Sequence, residues 1–196
     1  MPPTPTPGPR RVDRTARRRA VVALVFAFVA APATRADYIP TRSVEVRVED
    51  ERVLLNAEFD LTLNPTLEEA LQKGIPLYFL LEVDIVRPRW YWFDDKVLQH
   101  ATQYRLSWLP LTRQYRVSSG LLALTYDSLE EVERLLGRVN SREIARTADL
   151  EKGARYDAIV RLRLDPNQLP KPFQVNALAS RDWQLASDAR RIAFAP

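Results

Sequence analysis

Two pairs of closely spaced carboxylates, Glu82 with Asp84 and Asp94 with Asp95, together with one imidazole, His100, are the side chains that could carry general acid–base chemistry in this chain. Two carboxylates facing one another across a cleft are what cleavage of a glycosidic bond needs, one to protonate the leaving group and one to activate water or attack. Their spacing speaks against that use. Glu82 and Asp84 sit two apart in the alternating run FLLEVDIV, which puts both on the wet face of a strand, and Asp94 with Asp95 reads as a turn. His100 is the only histidine, and it falls beside Leu98 and Tyr104 on an apolar face, where a hydrogen-bonded core or half-core ring is expected rather than a base. The chain has no GxSxG elbow, no HExxH pair and no glycine-rich phosphate loop. Neither aspartate cluster has the spaced oxygens and turn glycine of a calcium loop. The reading is a protein without catalytic set, metal or cofactor.

Binding chemistry is better represented. The stretch RPRWYWFDDK, residues 87–96, sets four aromatic rings between two arginines and two aspartates. Pro88 disfavours helix at Arg87, so the chain is expected to stay extended, with Trp90 and Trp92 on one side and Tyr91 and Phe93 on the other. Two of the rings can plug the end of a core while the others pack under Arg87 and Arg89, or they can form a stacking platform for a glycan, a lipid headgroup or a partner peptide. A second segment, LPKPFQVNALASRDW, mixes basic, amide and aromatic side chains in the same way. Arginine and aromatic side chains are the usual anchors of interfaces, so the candidate contact residues are Arg87, Arg89, Trp90, Trp92, Lys171, Phe173, Asn176, Arg181 and Trp183.

The elements that must hold these residues read as sheet. Val44, Val46 and Val48 oppose Glu45, Arg47 and Glu49; Leu55, Ala57, Phe59, Leu61 and Leu63 oppose Asn56, Glu58, Asp60 and Thr62; the EDER between them is a hairpin turn. Phe79 to Ile85, Val97 to Leu109 and Tyr156 to Asp165 alternate likewise, TRQYRVSSGLLALTY reads as two short strands around Ser119 and Gly120, and RRIAFA as a last strand. Strands with one dry face are usually antiparallel, and this number in one domain predicts a mainly β fold, an antiparallel β-sandwich for which an immunoglobulin-like order is one candidate. Two or three short helices interrupt it. NPTLEEALQKG has Thr66 and Glu69 in capping-box spacing and Gly74 as a stop. SLEEVERLLGRV has Ser128 with Glu131 and a stripe of Leu129, Val132, Leu135 and Val139, and a short helix is allowed from Pro172 to Leu178.

Compartment and charge follow from the N-terminus. Six arginines between Arg10 and Arg19 precede the apolar stretch AVVALVFAFVAA and the small residues of PATRAD, the order of a secretory signal peptide, with a cut expected after Ala36. Residues 1–36 are thus read as a leader and 37–196 as a single domain, periplasmic after cleavage; an uncleaved leader anchoring the chain in the inner membrane is the alternative. The apolar run is short for a stable span of about 20 residues. The leader holds seven of the 29 Lys+Arg and one of the 25 Asp+Glu, leaving 22 against 24 and a mature charge near −2. With no basic surplus, nucleic-acid binding is set aside. The absence of cysteine excludes disulfides and thiolate chemistry, so the core alone must hold the domain.

The phrases LNPTLEEALQKGIPLYF, RPRWYWFDDK, TRQYRVSSG and LPKPFQVNALASRDWQL together resemble the proteobacterial family known as Domain of Unknown Function 4390, over roughly residues 42–194. The resemblance implies an exported envelope protein and carries over no catalytic residue. Genes of that family often lie beside a membrane sensor histidine kinase of the nitrogen-regulation type, which by association makes an envelope or inner-membrane protein such as a sensor kinase the expected partner. The leading reading is a non-enzymatic periplasmic interaction or sensory-accessory module. The alternative is a glycan- or lipid-binding envelope protein that uses the aromatic run as a platform.

Overall fold

A strand in which every second residue is apolar must pair its backbone with neighbours and hide its dry face against another layer. The computed structural model, which describes residues 38–89, 91 and 94–196, answers both demands with two sheets. Its strands are β1 (Tyr38–Ile39), β2 (Thr41–Glu49), β3 (Arg52–Phe59), β4 (Leu77–Arg87), β5 (Asp95–Leu109), β6 (Gln114–Ser119), β7 (Leu122–Tyr126), β8 (Arg138–Arg146), β9 (Tyr156–Leu164), β10 (Ala186–Ser187) and β11 (Arg190–Phe194). Its helices are α1 (Pro65–Gln72), α2 (Leu129–Leu136) and α3 (Lys171–Ala179). The expected leader and its cut after Ala36 lie outside the described residues, as do Trp90, Trp92 and Phe93 and the side chains of Asn176 and Leu178. Among the described residues no helix is long and apolar enough to cross a membrane.

The larger sheet runs β1-β10-β9-β4-β5-β6-β7, with β11 sharing the edge of β9 beside β10; the smaller runs β2-β3-β8. Among the described residues only the β1–β10 pair is parallel. The dry faces meet in one core, to which β3 brings Val53, Leu55, Ala57 and Phe59, β4 brings Phe79, Leu81, Val83 and Ile85, and β9 brings Ala158, Val160 and Leu162. The fold is therefore the mainly β, two-layer arrangement that the alternation predicts, and its sheets remain open. The strand order is compatible with an immunoglobulin-like sandwich without being specific to it.

Local chemistry explains most of the joints, and several differ from expectation. The β2–β3 hairpin closes through Asp50 and Glu51, both at positive φ (48° and 64°), the pair of left-handed residues that a two-residue type I′ turn requires. The cap of α1 is Asn64 rather than Thr66: its Oδ1 accepts from the Leu67 N–H at 2.9 Å, and its Nδ2 donates to the Asp182 carbonyl at 2.8 Å. Thr66 donates to the Asp182 carboxylate instead, and Glu69 pairs with Lys73 one turn on. Ser128 does cap α2, accepting from the Glu131 N–H. The stripe of α2 is corrected, because the helix ends at Leu136, which is buried with Val132, while Leu135 is exposed and Val139 belongs to β8.

Strand β8 went unread in the sequence. Its register against β3 slips twice, and Ile144 and Ala145 are buried side by side, so the period-2 signal is broken where it would be needed. The turn from α2 into β8 is unusually tight. Gly137 has an ordinary helical φ of −77°, but a Cβ there would lie 2.4 Å from the Phe59 carbonyl oxygen, and its own carbonyl accepts the Phe59 N–H at 2.7 Å.

Candidate interaction surface

Arg87 ends β4 and Asp95, its cross-strand partner, begins β5. The expected alternation of Trp90 and Trp92 with Tyr91 and Phe93 falls on positions that lie largely outside the described residues. Arg87 turns inward. Its Nη2 donates to Glu151 Oε2 at 2.7 Å and to the Tyr156 hydroxyl at 3.0 Å, and the guanidinium carbon stands 5.5 Å from the centre of the Tyr156 ring. Those bonds to Glu151 and Tyr156 push the guanidinium pKa up despite partial desolvation. Arg89 pairs with Asp95 at 2.6 Å, and Tyr91 is exposed. Both arginines are thus engaged within the chain, the first as a brace that joins β4 to β9 and to the segment after β8.

The second segment lies elsewhere. Register pairs Val86 with Asp157 at one end of β4 and Phe79 with Leu164 at the other, seven residues and about 23 Å away. α3 packs on the turns 166–168 and 181–183, beyond the Leu164 end. The two groups of candidate residues are therefore not one patch. In the second group Lys171, Phe173 and Arg181 are exposed, but Trp183 is only 9% exposed and belongs to the core. Its place among the contact candidates is corrected: the 181–183 turn is pinned to α1 through Asp182, and that turn drives the indole inward.

The acid–base candidates are dispersed as well. Glu82 accepts two bonds from Arg163, at 2.9 and 3.1 Å, and Asp84 pairs with Lys96 at 3.0 Å, both on the outer face of the large sheet. Asp94 pairs with Arg191 at 2.6 Å. His100 is opposite Val83 and so takes the inner face, as its alternation requires, yet it is exposed rather than core. There it lines a cavity of about 140 Å³ with Glu143, Arg146 and Asp149, between β5 and the end of β8.

A row of exposed leucines lies where no contact residue was expected. The β6–β7 hairpin turns through Gly120 and Leu121 and ends the large sheet, so among the described residues one side of β7 has no strand beside it. Leu121, Leu122 and Leu124 are exposed, and β7 (LALTY) has no charged residue. The run is short and apolar at three of four successive positions, so the signal for it was the missing charge rather than periodicity. A match to the family model described as a domain of unknown function, DUF4390, extends over residues 36–193. The chain belongs to the DUF4390 family. No curated protein and no solved structure matches it.

In this DUF4390 chain a concavity of about 520 Å³ lies between the first turns of α1 and α2 and the β5–β6 pair. Trp108 and Tyr115 form its wall, their rings 4.7 Å apart, and Glu68, Asp127, Glu130 and Glu133 surround it. Burial, aided by Glu68 and Glu130, raises the Glu133 carboxyl above its usual range, although the Leu63 N–H donates to it at 2.7 Å. Burial and the same acidic neighbours raise the Tyr115 phenol. Glu68 and Glu130 stand in first helical turns, where a negative side chain offsets the helix dipole, so their presence has a structural cause.

Proposed function

We propose that this DUF4390 chain is a non-enzymatic protein-interaction module of the cell envelope, which receives an extended segment on the open side of β7. The observation that carries the reading is the contrast among outer strands. An outer strand presents a row of unpaired N–H and C=O groups, and natural sheets blunt it by charge, shortness or cover. Here β1 has two residues, while β2, β8 and β11 carry charges such as Arg47, Arg142 and Arg190. β7 is longer than β1, uncharged and exposed. Addition of a strand uses backbone hydrogen bonds for affinity and alternate side chains for choice of partner. The basic and apolar N-terminal run supports the envelope location.

Photo-crosslinking in cells from position Leu122, with mass spectrometry of the product, tests the reading. A reproducible protein adduct that disappears when Leu124→Lys places a charge on the edge is the expected result. No adduct from positions Leu122, Ala123 and Leu124 would count against it.

A further inference from the structure

We infer that the segment received by β7 is the β7 strand of a second copy, the two strands pairing antiparallel about a two-fold axis at Leu124. This rests on the reading of β7 as an interaction edge and names its partner.

The first argument is the apolar row that runs out at that edge. Leu106, Val117 and Leu124 are successive cross-strand neighbours on the inner face, and their exposure climbs from 0% to 6% to 59% as the row leaves the core. A second copy continues the row, as Leu106–Val117–Leu124 followed by Leu124, Val117 and Leu106 of the other chain. A shift of one residue would turn every side chain over, and of the registers two apart that keep the dry faces together, the one about Leu124 prolongs the Leu106–Val117–Leu124 row directly.

The second argument is self-complementarity. Antiparallel pairing about Leu124 sets Leu122 opposite Tyr126, Ala123 opposite Thr125 and Leu121 opposite Asp127. Leucine meets an aromatic ring, two small residues meet, and no like charges oppose one another. The same operation on β11 sets Ile192 on the axis and puts Arg191 opposite Ala193, with the Arg190–Arg191 pair of each chain alongside. On β2 it sets Glu45 against Glu45 on the axis, acid against acid. Closed two-fold association through one patch is the common form of self-assembly, and the uncharged β7 edge permits it.

Because the chain has no cysteine, register can be read chemically. Under mild oxidation the full-length Leu124→Cys variant should form a disulfide-linked dimer, since residue 124 faces itself within bridging distance. Leu122→Cys alone should not, whereas Leu122→Cys mixed with Tyr126→Cys should. In sedimentation velocity the unmodified chain should associate with rising concentration, and Leu124→Lys should weaken that association by at least about tenfold. Circular dichroism melts of each variant check that the fold is kept, as the exposure of Leu122 and Leu124 predicts for their variants; Tyr126 is half-buried against the core, so its variant is read only where its melt matches the parent. A chain that stays monomeric, with Leu124→Cys no more readily oxidised than Leu122→Cys, overturns the inference. If crosslinks from Leu122 then trap a different protein, the edge reading stands without the second copy; if they trap nothing, both fall.

Discussion

Val83 and His100 face one another across β4 and β5, and that single pairing puts the imidazole on the opposite side of the sheet from Glu82 and Asp84. A histidine and two carboxylates that are close in sequence are thereby separated by the thickness of a sheet. His100→Gln should change unfolding free energy by less than about 0.5 kcal/mol, because an exposed ring at a sheet margin has little burial to lose. Chemical denaturation checks this, and a loss above about 2 kcal/mol would show that the ring holds the end of β8.

Two glycines should respond differently to alanine. At Gly74, φ is +85° and the space around a Cβ is empty, so Gly74→Ala should cost about 1 kcal/mol through backbone strain. At Gly137 the backbone is relaxed but the Cβ would strike the Phe59 carbonyl, so Gly137→Ala should cost about 2–3 kcal/mol. Equal losses in urea titrations would contradict the distinction.

The β2–β3 turn holds two non-glycine residues in the left-handed region. Replacing them together, Asp50→Asn with Glu51→Gly, should stabilise the domain by about 1 kcal/mol, because asparagine–glycine suits a type I′ turn. A thermal melt that does not rise would mean that Asp50 and Glu51 make compensating contacts.

Glu133 gives the stability a pH dependence of definite sign. A carboxyl whose pKa rises on folding contributes most below its unfolded pKa, and that contribution disappears as pH rises through the folded value. Glu133→Gln keeps an acceptor for the Leu63 N–H and removes the charge. The variant should therefore melt above the parent near pH 7 and show no advantage near pH 4. An advantage that grows toward acid would refute the assignment.

Trp183 and Phe173 are the pair that divides core from surface in the C-terminal segment. Trp183→Ala should destabilise by about 3–5 kcal/mol, and Phe173→Ala by less than about 1 kcal/mol. Loss of binding in the tryptophan variant would then report unfolding rather than contact.

Strands whose two faces differ were legible from residues alone: β2, β3, β4 and β9 follow the alternation, and Ser119–Gly120 marks the β6–β7 hairpin. β8 was hidden because two register slips and the adjacent buried pair Ile144 and Ala145 abolish the period. Thr66 looked like the cap of α1 because its spacing to Glu69 is right, but Pro65 starts the helix two residues earlier and leaves Asn64 at the cap. The candidate surface was the least legible part. Aromatic and basic residues such as Trp183 and Arg87 advertise contact, yet the first is enclosed by tertiary packing and the second is consumed as a brace. The open side of β7 is a property of topology, which no local pattern states.

The parallel pairing of Tyr38–Ile39 with Ala186–Ser187, reinforced by the bond from the Tyr38 hydroxyl to Asp188, sets the order of events during synthesis. The first described strand finds its only neighbour some 150 positions later. While the ribosome is still adding the middle of the chain, β1 has nothing to dock on, and β9 lacks one whole flank. Loop closure over such a distance is slow, so this flank of the large sheet is the part that waits for the last segment of the chain.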